Sequence, residues 1–96
     1  MTDHPPNAEL EDALDDVSGR LSAAYRELSA VKVQYLWLYF QGYKASQESS
    51  VVGRDRDAEI AAIAVKEDEL TLEGNISALT VQRDHLVKKI EWARGG

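Results

Sequence analysis

The chain reads as all-α: a long antiparallel αα-hairpin with coiled-coil character, expected to pair into a four-helix dimer. Three observations predict this. Apolar residues recur every 3.5 positions at Leu10, Leu14, Val17, Leu21, Ala24, Leu28, Val31, Tyr35 and Leu38, the spacing that holds one helix stripe against a partner. The same step runs through the second half at Val51, Asp55, Ala58, Ala62, Val65, Glu69, Leu72, Ile76, Leu79, Arg83, Leu86, Ile90 and Ala93, with charge at three of those positions. Between the stripes lies ASQESSVVGR, and both prolines sit far away at positions 5 and 6.

Element by element, residues 1–7 form an acidic N-terminal arm and residues 8–94 a single hairpin, with a helix over 8–46, a turn over 47–50 and a helix over 51–94. Asn7 is the expected cap of the first helix. Gly42 weakens its far end, since glycine is a poor helix former. Ser49 or Ser50 caps the second helix by accepting a backbone hydrogen bond, and Gly95-Gly96 ends it. With the turn centred near Ser49, equal rise per residue along both helices places Tyr35, Leu36, Trp37, Leu38 and Tyr39 opposite Ala58, Ala61, Ala62 and Ala64, large against small. It also places Arg83 near Leu14 beside Asp15 and Asp16, and Gly74 against Ala23 and Ala24.

Composition bounds the rest. With 44% hydrophobic and 29% charged residues the chain is ordered rather than disordered. At 96 residues a lone hairpin buries a modest share of its surface, so association is expected. No cysteine is present, which excludes disulfides and thiolate metal sites. The opening MTDHPPNAELEDALDD has no apolar core segment, so no secretory signal is read and a cytoplasmic location is expected.

The net charge of −6 sits at one end. Six carboxylates (Asp3, Glu9, Glu11, Asp12, Asp15, Asp16) precede Arg20 without a Lys or Arg among them, and the remaining 11 acids balance 11 bases. Binding to nucleic acid through phosphate neutralisation asks for the opposite sign, so nucleic acid is not an expected partner. Acids in a first turn favour the helix dipole. Glu9, Glu11, Asp12, Asp15 and Asp16 are also the residues that would form a docking surface for a basic partner.

KVQYLWLYFQGYK, residues 32–44, is apolar nearly all round. Val31, Tyr35 and Leu38 continue the hairpin stripe, while Val33, Leu36, Phe40 and Tyr43 form a second stripe with Trp37 beside it. One partner helix cannot cover both. A membrane span needs ~20 apolar residues, and Lys32, Gln34, Gln41 and Lys44 interrupt this shorter run. Tyr35, Tyr39 and Tyr43 stand one turn apart and have the spacing of a base-stacking platform, but only Lys32 and Lys44 flank them. The expected cover is a second copy, with Val33, Leu36, Trp37, Phe40 and Tyr43 at the oligomer interface.

No catalytic, cofactor or metal site is read, and no enzyme is expected. DRDAEIAAIAVK begins like a calcium loop but has Ile60 where the turn glycine belongs and Lys66 where the bidentate glutamate belongs. His4 and His85 are the only histidines, and His85 has no ligand-type residue three or four positions away. Asn75-Ile76-Ser77 matches a glycosylation sequon inside a predicted helix. Glu67, Asp68, Glu69 and Glu73 read as a solvated acidic face, without the histidine partner of the carboxylate bundle motif.

Trp37 precedes Leu38 and Tyr39 and the tail is HLVKKIEWARGG, which separates the chain from the hairpin secretion substrates that carry Trp-x-Gly in the turn and a Tyr-x-x-x-Asp/Glu tail signal. Tyr25, Lys32, Tyr35-Leu36 and Tyr39 in the first helix, then Ser50-Val51, Arg54 and Ala58, resemble small helical-hairpin proteins encoded by phages of actinobacteria, over residues 20–90. The resemblance implies a phage origin, and hence an infected bacterial host's cytoplasm; it transfers no site residues. The expected function is that of a non-enzymatic interaction protein that binds a protein partner through its helix faces. Two alternatives stand beside it: an accessory factor of phage DNA recombination or replication, and an acidic inhibitor of a host protein.

Overall fold

The computed structural model describes residues 6–95, with side chains from Ala8 onward. The arm expected over 1–7, with Asp3 and His4, lies outside the described residues apart from Pro6 and Asn7, which open the first helix. Helix α1 runs Pro6–Ala45 and α2 runs Val51–Gly95, and the fold is an all-α helical hairpin. Proline suits a helix start, because its missing N–H would have no partner there. Asn7 therefore lies within the first turn of α1 instead of ahead of it. Gly42 does not end α1, which continues to Ala45.

The hairpin divides into two compact units. The first holds α1 up to Tyr25 and α2 from Gly74, and its core is Val17, Leu21, Ile76 and Ile90. The second spans Arg26–Glu73 and includes the turn; Leu28, Ala58, Ala62 and Val65 are buried there. Every α1 stripe residue from Leu10 to Leu38 is buried or half-buried. On α2 the same holds from Asp55 to Ile90, while the two end positions, Val51 and Ala93, are exposed. Two helices give a thin core: among the described residues only Ala58 and Ala62 reach 0% exposure.

The connection is held by side chains that replace the backbone bonds a helix end leaves unmade. Of the two candidate serines, Ser50 is the cap: its Oγ accepts the Gly53 N–H at 3.0 Å, and its carbonyl accepts the Arg54 N–H at 3.0 Å. Ser46 Oγ accepts the Glu48 N–H at 3.1 Å and donates to Asp57 Oδ2 at 2.6 Å, tying the end of α1 to the start of α2. Arg54 Nε donates to the Glu48 carbonyl at 2.9 Å. The turn is thus clasped from both sides.

Three expectations about which residues face or pair with one another need correction. Gly74 makes no close approach, since a Cβ built there would meet nothing within 4 Å. The close approach is at Gly42, where a Cβ would stand 2.7 Å from the Ala61 Cβ and 3.0 Å from the Ala58 Cα. Arg83 pairs at 3.4 Å with its neighbour Asp84, and Asp16 pairs instead with Arg20 at 3.1 Å. Of the five bulky residues set against alanines, Tyr35, Leu38 and Tyr39 turn inward, whereas Leu36 and Trp37 point outward; Ala61 and Ala64 are exposed. Leu36, Trp37, Ala61, Ala64 and Gly74 lie off the inward stripe: equal rise sets which residues are level, whereas the helical period sets which side of the helix they occupy.

The two mid-helix glycines give opposite predictions. Gly42→Ala should destabilise the hairpin by about 1–3 kcal/mol, because the new methyl overlaps backbone and Cβ of the facing helix. Gly74→Ala should stabilise it by about 0.5–1 kcal/mol, the ordinary helix gain of alanine over glycine. Urea unfolding of both variants beside wild type measures the difference in sign.

Candidate functional site

Across residues 31–44, α1 carries two chemically distinct faces, and α2 covers only one. On the covered side the tyrosines are engaged by named partners within the second unit. Tyr35 and Tyr39 pack ring to ring, with centroids 6.1 Å apart and planes tilted by 34°. The Lys66 ammonium stands 5.3 Å over the Tyr35 ring, and the Arg54 guanidinium 5.8 Å over that of Tyr43. Tyr39 Oη donates to Asp55 Oδ1 at 2.7 Å. That bond raises the Tyr39 pKa from 10.0 to about 12, with desolvation and the Asp55 charge adding to it, because each favours the neutral phenol.

A charged stripe position is satisfied beside them. Glu69 is buried, and its Oε2 accepts from Lys66 Nζ at 3.0 Å, which holds the Lys66 ammonium above its ordinary pKa. Glu69 therefore does not belong to the solvated acidic face read from the sequence. Glu67, Asp68 and Glu73 are exposed as expected of that face. Among the described residues no group of three His, Asp or Glu side chains is placed to hold a metal ion.

The other side of α1 is open. Val33 is 67% exposed, Leu36 66%, Trp37 62% and Phe40 58%. Successive 100° steps put Val33, Leu36 and Phe40 on the side of α1 facing away from Ala58 and Ala62, with Trp37 at its border. The Lys44 ammonium lies 5.5 Å over the Phe40 ring at one end of this face. Tyr43, expected at the same interface, is half-buried under Arg54 and forms an edge of the face. A second outward apolar set was missed from the sequence: Ile60, Ile63 and Leu70 on α2, exposed by 62%, 57% and 57%. Their three- and seven-residue spacing, off the stripe, was the available signal. Trp92, 86% exposed near the end of α2, was also passed over.

The acidic end of α1 lies in the first unit. Glu11 is half-buried and accepts from Arg94 Nη2, which links the start of α1 to the end of α2. Asp16 pairs with Arg20 one turn on. Glu9, Asp12 and Asp15 are exposed. Such surface pairs contribute roughly 0.2–1 kcal/mol each. The cluster thus has a structural use at Glu11 and Asp16, and an open surface at the other three. Among the described residues no helix is long and apolar enough to cross a membrane.

The Tyr39 hydrogen bond has a pH signature. A phenol whose folded pKa is raised adds stability that is whole below its unfolded value of 10.0 and is lost as pH rises through about 12. Wild type should therefore unfold at higher urea than Tyr39→Phe up to about pH 10, and the gap should narrow above it. An absorbance difference titration, wild type minus variant, should show one phenol ionising near 12. A gap that stays constant across that range would count against the Asp55 bond.

Changing Glu9, Glu11 and Asp12 together to glutamine should lower stability by at most about 2 kcal/mol, given the modest worth of dipole and exposed pair terms. If the cluster is also a docking surface, the variant should associate more slowly with a basic partner, and wild-type association should slow with added salt. Equal, salt-independent rates would leave only the structural use. In comparisons with known proteins, no family model, no curated protein and no solved structure matches this chain.

Proposed function

We propose that this is a non-enzymatic helical interaction protein, acting through the outer face of α1 around Val33, Leu36, Trp37 and Phe40. One observation carries the reading: four large apolar side chains stand more than half exposed on one face while α2 already occupies the other. With roughly 150–250 Å² for each of the two rings, Trp37 and Phe40, and less for Val33 and Leu36, the four at their partial exposure present on the order of 500 Å². That is at the upper end of the ~300–600 Å² patch a monomer ordinarily exposes, and patches of that size are often functional.

The first occupant is a second copy, which would complete a four-helix assembly with the aromatic band inside it. The thin hairpin core supports this, since a bundle of four helices encloses the volume that two leave open. The cover of the Tyr35 and Tyr43 rings by Lys66 and Arg54, and the packing of Tyr39 on Tyr35, favour protein contacts over base stacking, because a stacking platform needs free ring faces.

Light scattering at micromolar concentration should give a mass of two copies or more. Phe40→Asp should shift the population to monomer, because a carboxylate without a partner in a buried interface is costly. Circular dichroism of the variant should stay helical, since Phe40 points away from α2. A wild type that is monomeric throughout the micromolar range would remove the reading.

A further inference from the structure

The second unit carries two outward apolar faces of opposite electrostatic character. On α1, residues 28–45 contain no carboxylate at all; the charges there are Lys32 and Lys44, both exposed. On α2, residues 51–73 contain seven carboxylates and three cations. Three of those carboxylates are engaged inside the hairpin, Asp55 by Tyr39, Asp57 by Ser46 and Glu69 by Lys66. Glu59, Glu67 and Asp68 are left exposed around Ile60, Ile63 and Leu70, with Arg56 exposed at the end nearer the turn.

The two faces also differ in bulk. Val33, Leu36, Trp37 and Phe40 stand on α1 where Ile60, Ile63, Ala64 and Glu67 take the same helical positions on α2. The bulk of Trp37 and Phe40 on one face corresponds to an exposed Ala64 and shorter side chains on the other.

We infer that copies of this chain associate head to tail, the outer face of α1 in one copy seating on the outer face of α2 in the next. This rests on the proposed self-association and specifies its geometry. Pairing α1 with α1 would bring Lys32 and Lys44 of both copies into a stretch without a single carboxylate. Pairing α2 with α2 would gather Glu59, Glu67 and Asp68 of both copies. The mixed contact sets a face without carboxylates against a predominantly acidic one, whereas pairing α2 with α2 sets the Arg56 of each copy against six carboxylates, and an excess of like charge across an interface disfavours a wrong pairing. Each copy then keeps one face free, so assembly continues until it closes as a ring or extends as a chain.

Complementation between two broken faces tests this directly. Phe40→Asp breaks the α1 face and leaves the α2 face whole; Ile63→Asp does the reverse, and both sites are exposed, so both variants should keep wild-type helicity. Head-to-tail contact predicts that wild type exceeds two copies as concentration rises, that each variant alone is monomeric, and that an equimolar mixture forms a capped 1:1 dimer. The mixed dimer should dissociate at least tenfold more readily at high salt than at low salt. If Ile63→Asp associates like wild type while Phe40→Asp does not, the inference falls and self-association through α1 alone stands. If both variants are monomeric and their mixture is too, the inference also falls. A monomeric wild type, or a Phe40→Asp variant that still associates, removes both the inference and the proposed function.

Discussion

A helix in a two-helix hairpin can cover only one stripe of its partner, and most of this structure follows from that limit. Contact is closest where Gly42 faces Ala58 and Ala61, a spot with no room for even one added methyl. Small residues there let the helices come together, and they also deprive the seam of bulk. The large side chains of α1 are consequently divided. Tyr35, Leu38 and Tyr39 turn toward α2, while Val33, Leu36, Trp37 and Phe40 face out. Surplus apolar surface is thus a geometric product of burying a helix rich in large residues against one rich in alanine.

Polar groups then fix what apolar packing leaves loose. Leucine and alanine stripes tolerate sliding, whereas a polar residue in a seam position specifies register because it is satisfied in only one alignment. Two such devices lie in the unit that contains the turn: Tyr39 bonds Asp55 and Ser46 bonds Asp57. The Glu69–Lys66 pair lies within α2, three residues apart; it satisfies a carboxylate that the stripe buries and holds the ammonium that covers Tyr35. In the other unit the Glu11–Arg94 pair links the two helices at the surface.

The proposed role in recognition rests on what the hairpin leaves over. The side chains with the most directional interactions are spent on holding the hairpin, and the surfaces left over are apolar and charged. Within one unit these are segregated by helix: α1 offers rings and lysines, α2 offers isoleucines and carboxylates. Segregation of that kind gives each face a different preferred counterpart, with apolar area providing affinity and charge deciding orientation.

What the sequence determined was the helices and their inward stripes. The 3.5-residue step named every buried or half-buried stripe position from Leu10 to Leu38, and it marked Ala58, Ala62, Val65, Ile76 and Ile90 on α2, because periodicity is a local property of the chain. The second stripe at Val33, Leu36 and Phe40 was legible for the same reason, as was the break around Ser50. Register was decided only by the tertiary structure. The pairings between the helices, Tyr39 with Asp55, Lys66 over Tyr35 and Arg54 over Tyr43, each need a partner many residues distant in the chain, and a stripe that looks alike at every turn does not name it. Arg83 likewise pairs with its neighbour Asp84 and not with Asp15. Glu69 is buried by the same packing. Hydrogen bonds, which tolerate a few tenths of an ångström where apolar contacts tolerate a whole turn, selected one offset among those the periodic stripe allowed.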